Sequence, residues 1–293
     1  MNPAPAALDR RATTIRVLPS ARVLLGAFAV LTVVAFIALF VLAARTDRSF
    51  AWTIVPSLSA AFLGSGYAAG FVLVFLSLRE EAWANVRVPF VTILVFVVLT
   101  LAATLLHTDK MHFDADFAKL DLLARAAAWF WLAVYIVVPL AMLVVLVLQE
   151  RAPGSDPPRR QPVPAVLRVA LAVESVVLLV VGALLFIDPT TASSVWPWPL
   201  TPFTGRVLAA WLIAFGFATA LASAVGDLDR LRTASIAYTV FGVLVLVSVL
   251  RFAGTVAWDR PIAWIFVALA AGVVATGAAG WRAAPSAVGR HGA

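Results

Sequence analysis

The sequence predicts an all-α, polytopic membrane protein with eight transmembrane helices, built as two parallel four-helix repeats (4+4). Three observations predict it. The first is composition: of 293 residues, 63% are hydrophobic and 13% charged. A soluble domain is about 45–50% apolar and about 25% charged, so this chain has too much apolar surface for one water-exposed fold to hide. The second is distribution. Eight apolar runs each approach the roughly 20 residues that a helix needs to cross a hydrocarbon layer of about 30 Å. The third is a self-match at a shift of 146 residues, in which Arg22 falls on Arg168.

Taken in order, the spans fall at roughly 21–44, 56–78, 88–107, 122–149, 163–187, 202–225, 233–253 and 261–281. The first follows a basic tail (1–20) and is too long for the 7–15-residue apolar region of a signal peptide. Residues 150–162, "ERAPGSDPPRRQP", form a linker rich in Pro, Gly and charge, and 282–293 form a second tail. With the N-terminus inside, the inner segments carry 14 of the 22 arginines and lysines and the outer segments 8. The positive-inside bias therefore puts tails and linker in the cytoplasm of a multi-pass cell-membrane protein. The net charge of +7 then serves topology and headgroup contact, and points to the lipid bilayer as partner, not nucleic acid. With no cysteine in the chain, disulfides, thiolate metal sites and cysteine nucleophiles are excluded.

The self-match defines repeats at 21–149 and 163–281. It pairs Leu39–Phe40 with Leu185–Phe186, Trp52 with Trp198, Pro56 with Pro202, and Gly70–Phe71 with Gly216–Phe217. A one-residue gap then pairs Arg87 with Arg232 and Asp114 with Asp259. Apolar matches between membrane helices are cheap, but Arg, Trp, Pro and Asp in register are not. Four spans is an even number, so both repeats enter from the same side and are parallel.

Before spans two and six lie "FAWTIVPSL" and "WPWPLTPFTGR". Trp52, Trp196 and Trp198 suit an interface where an indole keeps its N–H wet. Pro56 and Pro202 suit a first helical turn, with Thr201 as N-cap. These segments read as rigid outer elbows that aim the following spans. Asp114 and Asp259 precede spans four and eight and read as helix caps. Seven tryptophans, Trp52, Trp129, Trp131, Trp196, Trp198, Trp258 and Trp264, fall near the outer side as an aromatic belt.

Glu174 is the most informative single residue. It lies about ten residues into span five, near the midplane, where a carboxylate costs at least about 2.5 kcal/mol and must face the bundle interior or water. Its counterpart in the first repeat is Phe28, so the charge belongs to one half only. It is a candidate coupling or binding site, or an acid that joins helices through hydrogen bonds. His107, Asp109 and His112 in "HTDKMHFDAD" are acceptable metal-ligand types, though their spacing fits no metal motif and a solvated loop explains them as well. Gly66 and Gly70 in span two, and Ala268, Gly272, Thr276 and Gly280 in span eight, mark close helix contacts. Arg251, near the outer end of span seven, reads as a snorkelling cation. No nucleophile elbow, phosphate loop or zinc-protease motif is present, so neither an enzymatic reaction nor a cofactor is indicated.

At "AWTIVPSLSAAFLGSGY", "TLLHTDKMHF" and "WPWPLTPFTGR" the sequence resembles a group of uncharacterised multi-spanning membrane proteins of high-GC bacteria. The resemblance implies a bacterial membrane protein and carries no activity. On function, the tandem halves and the midplane carboxylate point to a small-solute or ion transporter with Glu174 as its site. The scarcity of polar residues in the spans points instead to a non-catalytic scaffold or accessory subunit that docks a lipid or a membrane-protein partner at its outer aromatic face.

Overall fold

The computed structural model describes residues 14–113 and 122–284. Among them the chain forms ten α-helices and no strand: α1 (Pro19–Phe36), α2 (Thr46–Ser49), α3 (Ser57–Ser77), α4 (Trp83–Leu105), α5 (Leu122–Glu150), α6 (Ala165–Ile187), α7 (Pro189–Ser194), α8 (Pro202–Val225), α9 (Leu228–Arg251) and α10 (Pro261–Ala283). Counting α1 with the π-helical turn Ile37–Val41 that extends it, eight are long and apolar enough to cross a membrane. All eight expected spans are therefore present. The third and seventh begin about five residues earlier than charge alone predicts, because Arg87 and Arg230 are paired within the protein and need not lie beyond the helix.

Helices α1, α3, α9 and α10 pack side by side as one layer, and α5, α4, α8 and α6 as a second layer against it. The four middle helices, α3, α4, α8 and α9, are the most enclosed, and the outer four present aliphatic faces outward. Contact across the middle is reciprocal: α3 packs on α9 and α4 on α8. Helix α3 can be enclosed because it is dense in small residues, which let backbones approach closely. At Gly64 the approach is tightest, since a Cβ there would stand 2.6 Å from the backbone nitrogen of Phe40.

Arginines close the helix ends, where carbonyls lack intrahelical partners. Arg22 donates to the carbonyls of Leu78 (2.7 Å) and Glu80 (2.9 Å) after α3. Its partner in the self-match, Arg168, lies against Gly226, the left-handed cap of α8 (φ 62°). Arg251 donates to the carbonyls of Phe40 and Val41 at the π-turn, so it secures α1 to α9 and does not simply snorkel. Arg206 does the same for Phe186 at the end of α6 (2.9 Å).

At the end of the bundle that carries residues 14–18 and 284, the linker is pinned to both halves. Asp156 receives Arg87 of α4 and faces Arg230 of α9 at 3.8 Å. Glu150 accepts from Arg87 (2.8 Å) and from the Trp83 indole (2.7 Å). Gln149, fully buried, clasps the backbone of Arg16 and Leu18.

Asp259 does not cap α10: the cap position is Arg260, no side chain closes the turn there, and Asp259 stands one residue too early. Asp114 lies outside the described residues. Thr201 caps α8 through the Thr204 N–H, with Pro202 in the first turn. Pro56 stands one place earlier, at the cap of α3, where its extended backbone ends the elbow before Ser57 starts the helix.

Candidate binding site

The elbows fold inward, which corrects the interfacial reading of their tryptophans. Trp52 and Trp198 are each 2% exposed and Trp196 is 8% exposed. The Trp52 indole donates to Thr204 Oγ1 at the start of α8 (3.3 Å), and the Trp198 indole to Ser59 Oγ at the start of α3 (2.9 Å). Each elbow thus secures the other half's helix. A buried indole N–H usually finds such a partner, and the sequence carries no sign of which one; the Trp196 indole finds none among the described residues. Trp131 is buried too, donating to Thr104 (3.0 Å). Of the proposed belt, Trp129 and Trp264 remain exposed.

Beneath the first elbow lies a cavity of about 160 Å³ between α1, α3, α4 and α5, walled by Phe28, Phe96, Trp131, Trp211 and aliphatic side chains. Val34 of α1 and Phe130 of α5, both exposed, stand on its rim. The cavity therefore opens sideways, where α1 and α5 touch only lightly. At its wall the hydroxyls of Tyr67 and Tyr135 bond each other at 2.6 Å. An enclosed cavity of about 150 Å³ lined by Leu, Ile and Phe stays dry and takes an apolar guest; here Thr32, Ser49, Thr92 and the two tyrosines add a few hydroxyls to the wall.

A second cavity, of about 50 Å³, lies between α6, α8, α9 and α10. Tyr238 and Thr276 are in its wall, and both hold Glu174. The Tyr238 hydroxyl donates to Glu174 Oε2 (3.0 Å), and the Thr276 hydroxyl is 3.0 Å from both carboxylate oxygens. Glu174 is buried, as a midplane acid must be. Thr276 belongs to the small-residue stripe read above as packing alone. Tyr67, Tyr135 and Tyr238 are the three tyrosines of the chain, and all sit within spans. That distribution was the visible signal for these polar positions.

His107, Asp109 and His112 are not gathered round a common point. His107 Nε2 accepts from Arg206 Nη1 (2.6 Å), joining the end of α4 to α8. Asp109 pairs with Lys110 (2.9 Å). His112 bonds the Phe50 carbonyl (2.9 Å) and Thr53 (3.0 Å), using both ring nitrogens. No group of three potential ligands occurs among the described residues.

Burial first, then the charge of Arg206, holds the His107 pKa below its ordinary value, against the opposing pull of Asp109. Since the unfolded value is about 6.5, the neutral ring contributes its stability in full above that pH. The contribution is lost as pH falls through the lower folded value. The thermal midpoint should therefore drop between about pH 7.5 and pH 5.5, and His107→Gln should make that drop smaller without abolishing it, because burial lowers the His112 pKa as well. Equal drops in both proteins would rule out His107 as a cause.

No family model, no curated protein and no solved structure matches the chain.

Proposed function

We propose that this protein is a non-catalytic, membrane-embedded binding protein that holds one apolar, lipid-like molecule in the cavity between α1 and α5. The observation that carries the reading is the cavity itself: almost wholly apolar walls, and a rim that includes exposed residues of two apolar spans, Val34 and Phe130. Such a guest exchanges one apolar environment for another, so shape and van der Waals contact select it.

The frame is two parallel four-helix repeats about a pseudo-twofold axis. The reciprocal α3–α9 and α4–α8 contacts, the crossed Trp52 and Trp198 bonds, and the matched roles of Arg22 and Arg168 support it. Within that frame, Phe28 lines the larger cavity, whereas its counterpart Glu174 stands behind Tyr238 and Thr276 of the smaller one, a difference that supports distinct roles for the two halves. The arginine distribution supports cytoplasmic termini.

Ala35 and Ala127 face the cavity from opposite sides of its mouth. Native mass spectrometry of the purified protein should show one retained lipid-like molecule per chain, and Ala35→Phe or Ala127→Phe should expel it. Equal retention by wild type and both variants would refute the site.

A second reading, ion- or solute-coupled transport through Glu174, is supported by the smaller cavity beside Tyr238 and Thr276. Its test is flux into proteoliposomes, compared between wild type and Glu174→Gln.

A further inference from the structure

We infer that Glu174 is the head-group end of the binding site proposed above, and that its occupant is a lipophilic amine: a hydrocarbon body in the larger cavity and an ammonium group beside the carboxylate. This rests on the cavity reading and adds a ligand class to it.

Three observations carry the inference. The two cavities share a wall, formed by Leu73, Thr92, Phe215 and Ala237, so one layer of side chains separates the open apolar space from the smaller space. The smaller space is lined by Tyr238 and Thr276, the two residues that hold Glu174. A molecule that displaces the Phe215 ring therefore reaches the carboxylate's own partners.

The third observation is charge. Among the described residues the carboxylate is met by hydroxyls and by no cation. Arg168, the arginine of its own helix, lies a turn and a half away, against Gly226 at the bundle end. A cation brought beside a buried acid that lacks a counter-charge stabilises its ionised form, so an amine, protonated in the medium or by the acid itself, is favoured over a neutral guest. An ammonium can also donate to the free lone pairs of the Tyr238 and Thr276 oxygens. The Tyr238 ring, in the wall of the smaller space, adds a π-face suited to a cation. A fatty acid or phospholipid phosphate would place like charges together, and a long-chain alcohol supplies no charge.

The test uses the full chain in nanodiscs, with dodecylammonium and dodecanol as probes. Wild type should bind both, with the amine about tenfold tighter or more, which is about 1.4 kcal/mol. Glu174→Gln, nearly isosteric and still able to accept from Thr276 and Tyr238, should lower amine affinity to that of the alcohol and leave the alcohol unchanged. Thr276→Val removes a hydroxyl but keeps the charge, and should retain the amine preference. Amine binding insensitive to Glu174→Gln, with dodecanol still bound, would overturn the assignment of Glu174 and leave the cavity standing. Failure of both probes to bind wild type would overturn the cavity reading as well.

Discussion

Trp198→Ala is expected to lower stability by about 3–5 kcal/mol, the cost of emptying a buried tryptophan site. The indole is 2% exposed. It touches Trp196, Phe62 and Phe266 at centroid distances of 5.3, 6.3 and 5.0 Å, and donates to Ser59. Much of this is packing between protein groups, which persists as a stabilising term even where lipid replaces water. The comparison variant is Ser59→Ala, which removes only the acceptor, strands the indole N–H and should cost about 1–3 kcal/mol. Reversible unfolding in mixed detergent micelles measures both. A Trp198→Ala midpoint equal to that of wild type would mean that the elbow points outward.

Gly64→Ala should cost about 1–3 kcal/mol, and Gly64→Leu more, through overpacking. A Cβ at Gly64 would meet the nitrogen, Cβ and Cα of Phe40 at 2.6, 2.7 and 2.9 Å. Two of these are backbone atoms of a π-turn already held by Arg251, so no side chain can swing aside. Helices α1 and α3 must part instead, and the larger cavity has walls on both. Gly26→Ala in the same helix as Phe40 is the control: a Cβ there meets nothing within 4 Å, and alanine should stabilise that helix by about 0.5–1 kcal/mol. If the two alanine variants unfold alike, the close approach at Gly64 does not exist.

Span number, span order and the buried state of Glu174 were legible in the sequence because each follows from one local quantity. Apolar run length sets the spans, and the cost of a charge at midplane sets the burial of the acid. Thr201 and Pro202 were legible for the same reason, since a cap and a first-turn proline are decided within four residues. Trp52 and Trp198 were placed in the right segments with the wrong surroundings. An indole is equally at home at a lipid headgroup or in an aromatic core, and only the partner across the bundle chooses between them.

The same limit applies to the site. Nothing around Thr276 separates a hydroxyl that packs from one that holds Glu174, and Phe28 gives no sign that it lines a cavity. The sequence by itself determined that this chain is a bundle of eight apolar helices carrying one midplane acid, because hydropathy and charge act residue by residue. The tertiary structure decided which arginine closes which helix end, that Trp52 bonds α8 and Trp198 bonds α3, and that Phe28 lines a cavity while Glu174 is held by Tyr238 and Thr276. Those are properties of surfaces brought together from residues up to 211 positions apart, and such pairings leave no mark on either segment alone.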